Sequence, residues 1–433
     1  MRILLASMPM DGHVNPLTGL AVHLRKRGHD VRWYTAPSYA AKLEALGIPH
    51  LPFVRATDVN GENLTEYFPE YEKLGLGPKA IAFALEKIFF GNLEAHLHDL
   101  LDVHRDFAYE AVVFDAALYA GRLVGEKLGI PVYPVWVAPT PAPVSKTAPP
   151  PFFGLKPMRG PLGRLRDTLV TKMLSSSTKR GMRIWHALRE REGLPAWDGN
   201  VFDLHTESSR AMFMAGVPGM EFPRDDWPEN FRFVGALLPH RGNTAPELPR
   251  VLTARLAAHQ GKVVVVSQGT VDNRDPEKLI VPTLLALANS EHLVVATTGG
   301  RHTETLTQRF PQENVVVVDR ADYHALMPKA SLFVSNGGYG SVMHALVYGV
   351  PLLLAGRLEG KNDVDARMAY RGLGIDLRTE QPKPRQIATG VEHILGDPHY
   401  AEAVERVKLE LAGYDPFAII EDVVVHKGAS GEV

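Results

Sequence analysis

The chain contains no cysteine in its 433 residues. That absence excludes a disulfide framework, thiolate catalysis and cysteine-ligated metal, and it leaves the redox compartment open. Net charge is nearly absent as well: 47 Lys and Arg face 49 Asp and Glu, leaving −2. A nucleic-acid binder working through bulk positive potential needs far more. No apolar run approaches the ~18 residues of a membrane span. The start, Met-Arg-Ile-Leu-Leu-Ala, turns at once and lacks a signal-peptide stretch. The expectation is a cytoplasmic protein without an integral membrane segment. Three chemical loops are also missing. There is no Gly-x-Ser-x-Gly elbow of a hydrolase and no Gly-x-x-x-x-Gly-Lys-Ser/Thr loop of an ATPase. Nor does a Gly-x-Gly-x-x-Gly turn of a dinucleotide oxidoreductase follow the first strand.

What is present is apolar material for more than one core. Hydrophobic residues make up 45% of the chain, and domains of ~100–200 residues predict two or three units. Residues 2–7 read as a buried strand. A loop carrying Asp11-Gly12-His13 and Asn15-Pro16 follows, then a helix from Leu17 to Lys26 closed by Gly28. Strand Val31–Thr35, helix Ser38–Leu46 and strand His50–Val54 complete a β-α-β-α-β start. Such a start implies a parallel sheet. Lys79–Leu101 reads as one long helix, and Ala111–Asp115 as a strand ending in a carboxylate. Residues 138–163 form a proline- and glycine-rich loop, and Leu162–Arg191 a helix with a solvated basic face. The polar stretch after Gly235 reads as a linker. A second alternating pattern starts at Val263–Ser267. It runs through helix Pro276–Ala288 and strands Leu293–Thr297 and Val315–Val318. The predicted fold is α/β: residues 1–235 as one Rossmann-like domain, 236–249 as linker, 250–413 as a second. A helix in 414–433 is placed to cross back to the first.

One stretch organises the second half. Strand Leu332–Ser335 enters Asn336-Gly337-Gly338-Tyr339-Gly340-Ser341, and a helical pattern then runs to Gly349 and Pro351. Glycines allow close backbone approach, and a helix start attracts anions. A phosphate cradle and an ordinary strand-to-helix turn both fit. In the first half, His13 is the leading base among 18 histidines, because it lies past a strand end in a parallel sheet. Asp115, at another strand end, is the natural partner for its second nitrogen, and a helix cap is the alternative. His96 and His98 point different ways on a helix, and Asp363-Val364-Asp365 opens another, so no metal requirement is predicted.

In order along the chain, Gly12-His13-Val14-Asn15-Pro16, Ser267-Gln268-Gly269-Thr270, Ala325-Leu326-Met327-Pro328, Asn336 to Ser341, and Ala345-Leu346 with Gly349-Val350-Pro351 form a specific set. On these the chain resembles the family 1 glycosyltransferases of the GT-B fold, which use nucleotide sugars on small lipophilic acceptors. The resemblance spans nearly the whole length. It implies an inverting enzyme with two Rossmann-like domains facing a cleft. His13 would be the general base, with Asp115 balancing its charge. No cofactor is implied beyond a UDP- or dTDP-linked sugar as co-substrate. The acceptor would be a hydroxyl of a phenolic, flavonoid, terpenoid or polyketide.

On the donor side the resemblance points to Gln268, Gly269, Thr270, Arg320, Ala321, Tyr323, Asn336, Gly338, Gly340, Ser341, His344, Glu359, Gly360 and Lys361. On the acceptor side Phe83, Phe89, Trp136, Phe152, Phe153 and Met158 are candidates, although each is equally at home in a core. Several donor positions depart from the family pattern. Asn336 stands where the family has His, and His344 where it has a ribose-gripping Glu. Arg320 replaces a base-stacking Trp, and Gly360-Lys361 replaces a sugar-reading Asp-Gln pair. A non-catalytic binding relative and a GT-B nucleotide-sugar epimerase are the alternatives. Retention of His13 with Asp115 speaks against both.

Overall fold

The computed structural model describes residues 1–139, 144–207, 209–242, 247–269 and 272–427. The chain divides into two compact units. The first comprises Met1–Gly216, Pro223–Gly242 and Tyr414–Val433; the second comprises Val217–Phe222 and Asn243–Gly413. Residues 236–242 therefore belong with the first unit, and a six-residue excursion, Val217–Phe222, belongs with the second. Arg367 fixes that excursion through Glu221 at 2.6 Å, and Arg371 bonds the carbonyls of Glu221 and Pro218.

Unit one is built on a seven-stranded sheet: β1 (Arg2–Ala6), β2 (Asp30–Thr35), β3 (His50–Pro52), β4 (Ala111–Asp115), β5 (Val132–Trp136), β6 (Met212–Ala215) and β7 (Phe231–Gly235). All named strands pair in parallel, in the order β3-β2-β1-β4-β5-β6-β7. Unit two holds β8 (Val263–Ser267), β9 (Leu293–Thr297), β10 (Val315–Val318), β11 (Leu332–Ser335), β12 (Leu352–Leu354) and β13 (Gly374–Asp376). Their order is β10-β9-β8-β11-β12-β13, again parallel. The central strands are runs of Val, Ile and Leu with no exposed face, as expected of sheets covered by helices on both sides; β8 and β9 are buried throughout. In each sheet the strand order reverses once, between β1 and β4 and between β8 and β11. Parallel sheets bind ligands beyond the carboxyl ends of strands at such reversals.

Several local readings of the sequence are corrected. The first helix begins at Asp11, not Leu17. Pro16 lies inside it, where its missing N–H costs one helical bond to the carbonyl of Gly12. His13 thus rides on the first helical turn instead of a loop. The single helix expected over Lys79–Leu101 is two, Pro78–Phe83 continued by a wider-wound Ala84–Phe89, then Leu93–Phe107. Gly91 and Asn92, weak helix formers, mark the break. The Pro276–Ala288 reading shortens to Ile280–Leu287, for a reason given below.

The C-terminal segment packs on the first helix of unit one. Phe417 lies against Gly19, where an added Cβ would meet its ring at 2.4 Å. Glu421 accepts from His23 at 2.8 Å and from Arg27 at 3.0 Å, with His29 at 3.5 Å. Burial alone would raise the Glu421 pKa, but the hydrogen bonds and charge of His23 and Arg27 override it and bring it to about 2. A depressed carboxylate stabilises the fold above its unfolded pKa and loses that contribution as pH falls through the folded one. Glu421→Gln should therefore cost about 1–3 kcal/mol near pH 7. The gap from wild type should close between about pH 5 and pH 2, as followed by urea denaturation across that range.

Candidate active site

A first candidate site, in unit one, follows from topology. β1 and β4 are neighbours, with Ala6 opposite Phe114. The residues just beyond both strands therefore meet. Asp115 is the last residue of β4 and is 2% exposed. Its Oδ2 lies 2.8 Å from Nδ1 of His13 and also accepts from the Met8 N–H at 3.3 Å; its Oδ1 accepts from the Ala117 N–H at 3.2 Å. A carboxylate only accepts, so Nδ1 of His13 carries the hydrogen. Nε2 is then left with its lone pair, on a side chain 26% exposed. Burial opposes charging of the ring, but the Asp115 charge and hydrogen bond more than offset it and the His13 pKa is raised above 6.5. This is a positioned, strengthened base.

Next to Asp115 lies an aromatic run that sequence reasoning only partly found. His205 donates from Nε2 to the Ala116 carbonyl at 2.8 Å. Its ring stacks on Tyr119 at 5.3 Å and stands edge-on to Trp136 at 5.6 Å. Tyr119 meets Phe89 at 6.3 Å. Burial holds His205 neutral, with its pKa lowered to about 4. Nδ1 of His205 and Nε1 of Trp136 are buried without hydrogen-bond partners among the described residues. One is an acceptor and the other a donor, and such atoms are costly to leave unpaired. Neither His205 nor Tyr119 was expected: no periodicity or spacing in the sequence connects them to Asp115.

The other acceptor candidates scatter. Phe83 joins Tyr71 and Phe68 at 5.8 and 5.7 Å. Phe152 and Phe153 pack against the core of unit one, Phe152 with a φ of +75° and 6.2 Å from Phe202. Met158 is 44% exposed.

A second candidate site, in unit two, lies at the reversal of the other sheet. Ser335 of β11 stands beside Ser267 of β8, so the Gln268-Gly269 and Asn336–Ser341 turns adjoin. Asn336 ties them: its Nδ2 donates to the Gln268 carbonyl at 2.6 Å, and its Oδ1 accepts from the Gly338 N–H at 3.4 Å. Gly337 has φ +80°, and an added Cβ would sit 1.9 Å from Oδ1 of buried Asp365. Gly340 would meet nothing within 4 Å and Gly338 nothing nearer than 3.6 Å. These last two glycines are not required by internal packing; they leave room for a ligand to approach the backbone. The helix they open, Tyr339–Val347, has no side-chain cap among the described residues, and Ser341 is in its first turn. Exposed N–H groups of that turn suit phosphate oxygens.

Gln268 departs from expectation. Its side chain donates to the Asp275 carbonyl at 2.9 Å and accepts from the Leu279 and Ile280 N–H groups at 3.0 and 2.7 Å. It caps the helix that begins at Ile280, which is why that helix starts later than its apolar pattern. The residue is 1% exposed; its amide is structural, and no donor contact is assigned to it. Gln268→Ala should cost about 1–3 kcal/mol by orphaning two buried N–H groups, read as a lowered denaturant midpoint.

Gly269 has φ +74°; Thr270 lies outside the described residues. Arg320 is exposed and Ala321 half-buried. The Tyr323 hydroxyl bonds Oγ1 of Thr297 at 3.1 Å. His344 stands edge-on to Tyr323 at 5.6 Å and to His324 at 5.0 Å. Burial, with His324 adding to it, lowers the His344 pKa to about 4, and its buried Nδ1 is unpartnered among the described residues. Glu359, at φ +58°, pairs with Lys361 at 2.8 Å across Gly360, which leads into the Lys361–Tyr370 helix. Among the described residues, Glu94, His98 and Glu192 gather at metal-ligand spacing. All three are already engaged: His98 with Glu192 at 2.8 Å, Lys127 with Glu192 at 3.1 Å, and Arg191 with Glu94 at 2.8 Å.

Comparison with known proteins bears on both units. Residues 282–425 match the family model described as Erythromycin biosynthesis protein CIII-like, C-terminal domain. The 4'-demethylrebeccamycin synthase of Lentzea aerocolonigenes is 34% identical over 431 residues, covering 99% of each chain. UDP-glycosyltransferase 2 of Phaeomoniella chlamydospora is 28% identical, over 97% of this chain and 94% of its own. Among solved structures, a calicheamicin glycosyltransferase superposes with a TM-score of 0.75 at 22% identity, covering 98% and 97% of the two chains. That likeness establishes the GT-B fold.

Proposed function

Because the chain belongs to the family 1 glycosyltransferases and is an enzyme of that kind, we propose that it transfers a sugar, with inversion, from a UDP- or dTDP-linked donor to a hydroxyl of a small lipophilic natural product. The observation that carries this reading is the His13–Asp115 pair, with Nε2 of a strengthened imidazole left available. In the proposed step the acceptor oxygen bonds the anomeric carbon while its proton passes to Nε2 of His13. The bond from that carbon to the diphosphate breaks, and the nucleoside diphosphate leaves with the electron pair. Asp115 offsets the positive charge that grows on the ring.

No metal is assigned a part. The leaving diphosphate would be held by the open backbone at Gly338 and Gly340, by Ser341 and by the helix start, donors already aimed at the charge. Thr270 is carried as a further donor contact. His344, kept neutral, offers a ribose hydroxyl one hydrogen-bonding nitrogen where a carboxylate would offer charge. Arg320 supplies a guanidinium plane for the base. On the acceptor side, Phe89, Tyr119 and Trp136 supply apolar surface. The small-molecule acceptor class is supported by the name of the rebeccamycin relative.

The test is a product assay with a lipophilic phenol and, separately, UDP-glucose and dTDP-glucose, followed by mass. A glycoside from wild type and none from His13→Ala is the expected result. Equal product from both would contradict the mechanism. Absence of product together with no calorimetric binding of UDP or dTDP would contradict the donor assignment.

A further inference from the structure

The Pro161–Arg191 helix buries one face in unit one through Leu174, Met182, Trp185 and Leu188. Its first half presents another face that is both apolar and bare. Leu162, Leu165, Leu169 and Met173 are 74, 57, 58 and 37% exposed. Their spacing of three and four residues sets them in one stripe along the helix. Lys172 flanks the stripe and Lys179 follows it further along the helix, both exposed. Between Pro161 and Arg183 the only acid is Asp167, and it is taken by Arg166 at 2.8 Å. In a chain of net charge −2, this is a local concentration of positive charge around an exposed leucine stripe.

We propose that this face docks the enzyme on an anionic lipid bilayer, lying in the plane of the headgroups. Two features favour lipid over a protein partner. The stripe is aliphatic and carries no aromatic residue, whereas protein interfaces concentrate aromatics and deplete lysine at their centre. Lys172 lies at the edge of the stripe, where a long side chain reaches headgroup phosphates while the leucines enter the acyl boundary. A single exposed leucine needs no explanation, but a contiguous stripe does. The helix lies on the membrane and does not span it: no helix among the described residues is long and apolar enough to cross one. The inference does not depend on which sugar or acceptor the enzyme uses.

The test is co-sedimentation of the full chain with vesicles of phosphatidylcholine alone or mixed with about one quarter phosphatidylglycerol, at low and high salt. Wild type should pellet with the anionic vesicles at low salt and be released by high salt and by neutral vesicles. Lys172→Glu should weaken binding by about fivefold or more, since each cation near such a surface contributes about that factor. Leu165→Ser with Leu169→Ser should abolish it, with circular dichroism and turnover of a water-soluble acceptor unchanged. No binding to anionic vesicles, or equal binding by these variants, would overturn the proposal. So would a dimer in solution that Leu165→Ser dissociates, which would assign the face to a second copy of the chain.

Discussion

His13→Ala should lower kcat by about 10²–10⁴-fold while leaving nucleotide affinity within a factor of two or so. The expectation rests on geometry confined to one sheet reversal: a helix-borne imidazole whose Nδ1 is held by Asp115 at 2.8 Å. Removing the ring removes the proton acceptor, whereas the glycine turn proposed to hold the diphosphate belongs to the other compact unit. The pH dependence follows with a definite sign. The base works when neutral, so kcat/KM should fall on the acid side with a midpoint above 6.5, the direction in which Asp115 shifts the ring. Asp115→Asn removes the charge that raises the pKa. The acid limb should then move to lower pH while the plateau falls, because the imidazolium formed in the transition state loses its counter-charge. An acid limb that stayed in place would show that His13 does not set it. In stability the same pair has the opposite signature. A raised imidazole pKa contributes stability below its unfolded value near 6.5, and that contribution is lost as pH rises through the folded one.

The second large effect is at Gly337. Alanine there is strained by φ +80° and would place Cβ 1.9 Å from Oδ1 of Asp365. Asp365 has little room to yield. It is fully buried, its Oδ2 accepts from the Gly356 N–H at 3.1 Å, and burial, with Asp376 nearby, holds its pKa well above the usual carboxylate value. Backbone strain and overpacking together should cost about 2–4 kcal/mol, visible as a lowered melting temperature. Gly340→Ala is the matched control. It meets nothing within 4 Å and lies in a helix, where alanine is favoured by up to about 1 kcal/mol. Its stability should hold or rise, whereas affinity for the nucleoside diphosphate should drop about tenfold if phosphate approaches that backbone. Calorimetric titration of both variants separates a folding glycine from a binding one.

The elements most legible in the sequence were those with strong local signals. The Val- and Leu-rich strands, the glycine cluster after β11 and the carboxylate closing β4 all stood out, and placing His13 beside Asp115 needed only the rule that strand ends in a parallel sheet share one edge. What escaped were roles set by distant partners. Gln268 reads as a loop residue beside a glycine, yet its amide closes a helix twelve residues on, because two N–H groups there have no other acceptor. Asn336 stands in the glycine turn, and its further role of tying two turns together depends on the distant Gln268 carbonyl. His205 is invisible in sequence because its neighbours, Ala116, Tyr119 and Trp136, come from separate elements. Pro16 misled outright: proline usually marks a helix start, and here the chain gives up one hydrogen bond and carries His13 on the turn before it. The Pro161–Arg191 helix reads in the sequence as a solvated basic face, and which of its leucines are left exposed depends on the fold.

The most direct test of inverting transfer is the anomeric configuration of the product. Glycoside formed from α-linked UDP-glucose or dTDP-glucose would be isolated and its anomeric proton coupling read by NMR. Direct displacement by an acceptor oxygen deprotonated at His13 predicts the β-glycoside. An α-glycoside would contradict that account, since retention requires a second event at the anomeric carbon that the His13–Asp115 pair does not provide.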